Sequence, residues 1–223
     1  MPTTDSDQLY STWELLEDEI RRCTRCPLHK SRRNPVPGEG NKNSSVMFVG
    51  EAPGATEDEM GRPFVGAAGK LLTMVMESYG MKREDVYITN VVKCRPPGNR
   101  EPKDEEINAC SIFLKSQMLL LKPRIIVTLG NVAGKTIFSM ANREWGGVMK
   151  MRGKKYTLQI LGMQLYVIPT IHPAAALYNP QLRSLFENDI KLIKSVIDEI
   201  IGGGAEEARK EKSKSKTLLD YLK

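Results

Sequence analysis

Two sets of residues in this chain carry types and spacings that could do chemistry: four cysteines, and three polar residues that each follow an apolar run. Cys23 and Cys26 form a Cys-x-x-Cys pair, and Cys94 and Cys110 follow without a second such pair. In a reducing compartment this pattern reads as four thiolate ligands of one metal centre rather than as disulfides. A zinc ribbon usually carries two knuckles, whereas iron–sulfur clusters tolerate irregular spacing. On spacing alone zinc, a cluster and unligated core cysteines all stay open. A redox-active dithiol at Cys23 and Cys26 is disfavoured, because no strand precedes the pair.

The polar residues are Glu51, Asn90 and His172. Val46-Met-Phe-Val49 is a short apolar run halted by Gly50 and by Pro53-Gly54, so it reads as a buried strand that delivers Glu51 to the loop at its carboxyl end. A second strand over residues 86–89 ends at Asn90. A third run, Tyr166-Val-Ile-Pro-Thr-Ile-His172, fixes the imidazole between Ile171 and Pro173. Each residue alone has a plain explanation: a surface acid, a turn cap, a partner for a backbone carbonyl. Right-handed crossovers between parallel strands, however, would carry all three to one sheet edge, where open α/β sheets bind ligands. One shared site explains the pattern better than three coincidences. Gly130-Asn-Val-Ala-Gly-Lys-Thr136 resembles a phosphate-binding loop but has one residue too few between its glycines, so it reads as an ordinary strand-to-helix turn.

The elements that must position these groups alternate along the chain. Residues 8–22 have helical apolar spacing, with Asp5 or Ser6 as the expected cap, and lead into Cys23. Residues 27–45 read as an irregular basic loop and 55–65 as a second loop. Helices are expected over 67–79, 103–121 (supplying Cys110), from Gly130 to about residue 140, and over 180–201. Strands are expected over 124–129, 156–161 and 164–168, the last returning to the sheet. This alternation predicts an α/β fold: a mainly parallel sheet with helices on both faces.

With 223 residues, of which 40% are hydrophobic, the chain can bury one core, in a domain of about 190–200 residues with short tails. No apolar run reaches the ~20 residues that span a bilayer, and the first residues lack the layout of a secretory signal. An intracellular, membrane-free protein is expected. A formal charge of +6 and a pI near 9.1 favour a polyanionic partner.

Gly50-Glu-Ala-Pro-Gly54 with Glu57-Asp58, Gly61-Arg-Pro-Phe-Val-Gly66, Tyr87-Ile-Thr-Asn90 and His172-Pro-Ala-Ala-Ala-Leu177, together with the cysteine spacing, resemble the family 4 uracil-DNA glycosylases, the iron–sulfur branch of their superfamily. The likeness covers roughly residues 10–200. It implies a three-layer α/β/α sandwich around a four-stranded mainly parallel sheet, and a [4Fe–4S] cluster on Cys23, Cys26, Cys94 and Cys110. It also implies hydrolysis of the N-glycosidic bond of uracil in DNA, which starts base excision repair; a monomer is the default expectation. In that reading Asn90 reads the uracil edge, Phe64 stacks on the flipped base, and His172 donates to O2. Glu51 lies beside the base and the attacking water, and backbone groups at Gly50, Ala52 and Gly54 line the site. Arg62, Arg95, Arg100 and Lys93 would clamp phosphates, while Ala176 or Leu177 would enter the vacated stack. Residues 1–201 would form the enzyme and 202–223 a charged tail. Its end, Ser215-Lys-Thr-Leu-Leu-Asp-Tyr-Leu222, looks like a sliding-clamp-binding peptide with Leu218, Tyr221 and Leu222 as its apolar contacts, Ser215 standing where a glutamine is usual. The competing expectations are an iron–sulfur or zinc protein that binds nucleic acid without cleaving it, and an electron carrier.

Overall fold

The computed structural model describes residues 9–202. The tail beyond Gly202, with Leu218, Tyr221 and Leu222, lies outside the described residues, as do Asp5 and Ser6. The first helix, α1 (Trp13–Arg22), is capped by Thr12, whose hydroxyl accepts from the Leu15 amide at 3.3 Å. The cap expected at Asp5 or Ser6 therefore falls at Thr12.

There follow, in chain order, β1 (Glu39–Gly40), β2 (Val46–Gly50), α2 (Ala55–Met60), α3 (Ala67–Ser78), β3 (Tyr87–Asn90), α4 (Asp104–Leu121) and β4 (Ile125–Leu129). The second half holds α5 (Asn131–Met140), α6 (Val148–Met151), β5 (Tyr156–Ile160), β6 (Met163–Thr170), α7 (Pro173–Tyr178) and α8 (Pro180–Ile197). The strands form one six-stranded sheet in the order β1-β3-β2-β4-β6-β5. The four inner strands are mutually parallel, and β1 and β5 add an antiparallel strand at each edge. The expected four-stranded sheet is thus the inner part of a larger mixed one. The two-residue β1 sits in a Gly- and Pro-rich stretch that carries no periodic signal, and β5 reaches the sheet only as the hairpin partner of β6.

Side chains of β2 alternate between two cores, as a strand buried on both faces requires. Met47 and Val49 meet α1, α4 and α5 through Leu16, Ile20, Phe113, Leu114 and Ile137. Val46 and Phe48 meet α3 and α8 through Leu72, Met76, Phe186 and Ile190. Helix, sheet and helix make the three layers. The stretch 55–65, expected as a loop, holds the short helix α2, and the residues after His172, given no helix or strand from the sequence, form the short helix α7. Each has six residues, too few for an apolar period to show. Among the described residues no helix is long and apolar enough to cross a membrane.

Candidate active site

The strand order places β3 and β4 on opposite sides of β2, so the chain leaves β2 and β4 in opposite directions and opens a crevice at their carboxyl ends. A cavity of about 440 Å³ lies there, and Glu51, Ala52, Gly54, Phe64, Asn90 and His172 all line it. The sequence-predicted groups therefore converge. Gly50 serves the cavity by lacking a side chain, since a Cβ there would stand 2.4 Å from both Asn90 Oδ1 and Phe64 Cζ. Gly130, at φ +90°, closes β4 against the imidazole, with the position of a Cβ only 3.0 Å from that of His172.

Asn90 ends β3 in register with Gly50, and the pairing continues past the strands. The Val91 amide donates to Gly50 O at 2.9 Å and the Val92 amide to Glu51 O at 3.1 Å. The carboxamide is 1% exposed, and among the described residues its Oδ1 has no hydrogen-bond partner. A buried acceptor left unmade costs about 1–3 kcal/mol. Such an atom is expected where a ligand supplies the donor.

His172 caps α7: its Nδ1 accepts from the Ala174 amide at 3.2 Å. That bond puts the proton of the neutral ring on Nε2, leaving Nε2–H as a donor. Burial pulls the imidazole pKa down to about 4, against a weaker opposing pull from Glu57, so the ring is neutral at pH 7. Burial likewise raises the Glu51 carboxyl above the usual carboxylate range, with Glu101 adding to the effect.

Phe64 adopts φ +51° and sets its ring 5.8 Å from that of His172, tilted by 36°. This strained backbone is fixed from three sides. Glu57 Oε1 accepts from the Val65 and Gly66 amides at 2.9 and 2.8 Å. Arg83 Nη1 donates to Phe64 O at 3.2 Å. Gly69 lets α3 approach so closely that a Cβ would lie 2.0 Å from the Phe64 carbonyl. Sequence reasoning gave Glu57 no role beyond its place in a motif and did not single out Arg83, Gly69 or Asn99, which also lines the cavity. Nothing local marks them, because their partners are fixed only by the fold.

The four cysteines also meet. Cys23, Cys26, Cys94 and Cys110 line a second, much smaller cavity beside Phe113 and Ile20. Backbone and guanidinium donors reach three of the sulfurs: Arg32 Nη1 to Cys94 at 3.0 Å, the Lys93 amide to Cys110 at 3.3 Å, and the Arg25 amide to Cys23 at 3.5 Å. Burial pushes the Cys110 thiol up to about 12. Among the described residues no three His, Cys, Asp or Glu side chains close in tightly enough to hold a single metal ion.

The residues expected to face DNA fare less evenly. Arg62 grips Glu39 through two bonds of 2.6 and 2.8 Å, and Arg100 grips Glu106 through two of 2.7 and 2.8 Å. Arg95 donates to Asn99 Oδ1 at 2.7 Å. Lys93 is no phosphate clamp, for it is 1% exposed and spends its donors internally. Ala176 is no wedge either. It is fully buried, since α7 turns that face onto α3 and α8, and Leu177 is partly buried against the same core. The large exposed side chain of α7 is Tyr178, 87% exposed.

The profile of the uracil DNA glycosylase superfamily matches residues 37–194. A type-4 uracil-DNA glycosylase of Saccharolobus solfataricus is 50% identical over 185 residues, which span 82% of this chain and 86% of that protein. One from Archaeoglobus fulgidus is 46% identical over 212 residues, 94% of this chain and all of that protein. A type-5 uracil-DNA glycosylase of Pyrobaculum aerophilum is more distant, at 34% identity over 55% of this chain and 68% of its own. With the profile spanning well over half of its residues, the chain belongs to the uracil-DNA glycosylase superfamily.

Proposed function

We propose that the protein is a uracil-DNA glycosylase that hydrolyses the bond between uracil N1 and deoxyribose C1′. The observation that carries this reading is the unpartnered Oδ1 of Asn90 in the same cavity as His172, whose Nε2–H is free to donate. Uracil offers an N3–H donor beside an O4 acceptor, and one carboxamide can meet both. Cytosine reverses the pair, so the amide would face donor with donor and acceptor with acceptor in a dry pocket. As the bond breaks, negative charge gathers on N1 and O2. A preorganised neutral donor aimed at O2 stabilises that charge without itself having to lose a proton. Phe64 supplies a stacking face for the extruded ring. Glu51 stands where a carboxylate favours the cationic sugar and the incoming water. That water adds its oxygen to C1′, and its second proton neutralises the departing uracil. Amides near Ala52 and Gly54 complete the wall.

A [4Fe–4S] cluster held by Cys23, Cys26, Cys94 and Cys110 belongs to the same reading. Four thiols around one cavity, three of them receiving N–H donors, fit a cluster, whose ligands stand farther apart than those of one tetrahedral zinc ion. When bound, it supplies a cross-link between the segment after α1, the segment after β3 and α4, and takes no part in hydrolysis. For DNA, Arg95 is the main phosphate contact, with Arg62 and Arg100 already holding Glu39 and Glu106. Leu177 and Tyr178, one turn from the cavity-lining Ala174 and Ala175, are left to fill the vacated stack. Residues 1–201 form the enzyme, a monomer inside the cell. Tail residues Leu218, Tyr221 and Leu222 dock on a sliding clamp, which raises the local concentration on DNA; deletion of residues 215–223 will abolish clamp binding and spare activity on short duplexes.

Incubation with a uracil-containing oligonucleotide followed by alkali tests the central reading. Scission at uracil, lost in His172→Ala, is expected. Binding without scission would favour a nucleic-acid-binding protein and end the proposal.

A further inference from the structure

Lys93 is one of the largest fully enclosed side chains of the molecule, and no step described above uses it. Its Nζ donates to Asn90 O at 2.6 Å, to Gln117 Oε1 at 2.7 Å and to Thr89 Oγ1 at 2.8 Å. Three acceptors match the three hydrogens of an ammonium group. The partners are themselves anchored. Gln117 Nε2 donates to Pro37 O at 2.6 Å and Tyr87 Oη at 3.1 Å, and the Thr89 hydroxyl donates to Pro37 O at 2.8 Å. On its other side the Lys93 amide donates to Cys110 Sγ, and Cys94 is the next residue.

Burying an ammonium group is a poor way to gain stability, because its desolvation roughly offsets what its partners return and an apolar side chain of like volume often does better. The placement suggests another use. Asn90 Oδ1 has no protein partner, so the direction of the carboxamide depends on how its backbone and walls are held. Gly50 and the ladder to β2 fix one side of it; the bond from Lys93 fixes the backbone carbonyl of Asn90. We propose that Lys93 is a positioning residue that holds Asn90 in the orientation that reads uracil, and that it ties this orientation to the thiol cavity. This rests on the glycosylase reading above.

The test compares Lys93→Met in the wild-type and Asn90→Ala backgrounds, with kcat and KM for uracil excision and with iron and sulfide content measured on each protein. A misdirected amide should lower kcat by about 100-fold with KM little changed and iron retained. In the Asn90→Ala background the same substitution should cost nothing further, within the roughly twofold scatter of additive effects. Gln117→Leu, which removes one acceptor without altering a neighbour of the thiols, should give a smaller kcat loss with the same disappearance in Asn90→Ala; it decides the matter if Lys93→Met does not fold. Wild-type kcat in these variants, an equal loss in both backgrounds, or a loss of iron in step with activity would each overturn the inference. No scission by the wild-type protein would instead remove the glycosylase reading itself.

Discussion

The base pocket and the thiol cavity lie at the two ends of one short segment, residues 90–94, and they treat polar atoms in opposite ways. In the pocket, among the described residues, Asn90 Oδ1 is left without a partner, His172 keeps a free donor, and Glu51 is desolvated with no cation among the causes of its shift. Around the thiols, donors from Arg32, Lys93 and Arg25 reach the sulfurs. The first arrangement weakens the protein alone and suits a ligand that comes and goes; the second suits the proposed cluster. Substitutions in the two regions should therefore separate, activity without stability at one end and stability first at the other.

The largest effect is expected at the thiols. Structural zinc sites contribute about 10–16 kcal/mol to folding in small domains; if the proposed cluster supplies even a part of that, Cys110→Ala or Cys94→Ala will lower Tm by more than about 10 °C and remove iron. Calorimetry showing an unchanged Tm would make the cysteines ordinary core residues and erase the contrast.

Next comes His172→Ala, expected to cut excision by about 10²–10³-fold while Tm stays within a few degrees. The pH dependence sharpens this. With the folded pKa at about 4, the wild-type rate will show no histidine inflection near the ordinary value; it will fall first as Glu51, whose pKa burial raises, takes up its proton, and again as pH approaches 4. The sign for stability follows. The unfolded chain takes up the imidazole proton first, so this group's contribution is complete above its ordinary pKa and is lost as pH falls from there through about 4. A rate profile with an inflection near pH 6.5 that vanishes in His172→Ala would show a cationic imidazole instead.

Smaller effects separate two arginines of the rim. Arg100→Ala leaves the Glu106 carboxylate, 2% exposed, with only the Lys103 amide as donor, and should lower Tm, though by less than breaking a wholly buried pair would. Arg95→Ala leaves only Asn99 unpaired, should not move Tm, and should lower the slope of log K against log salt by about one. An unchanged slope would remove Arg95 from the DNA contacts.

Much of this was legible in the chain. Apolar runs ended by glycine placed Glu51, Asn90 and His172 at one edge, since parallel topology leaves their strand ends nowhere else to go. What the chain could not disclose were pairings across the fold. Arg62 and Arg100 looked like free cations because Glu39 and Glu106 lie apart from any motif. Lys93 looked like a phosphate ligand until its acceptors on β3 and α4 came together around it. Ala176 failed as a wedge because a six-residue helix set its orientation, and no period reveals a helix that short.

The most direct test is the release of free uracil from a duplex by the wild-type protein and by Asn90→Ala, with Tm measured alongside. The expected result is a fall of at least about 100-fold with Tm unchanged or higher, since the substitution removes an unpaired buried acceptor. An Asn90→Ala protein that releases uracil at the wild-type rate would contradict the account.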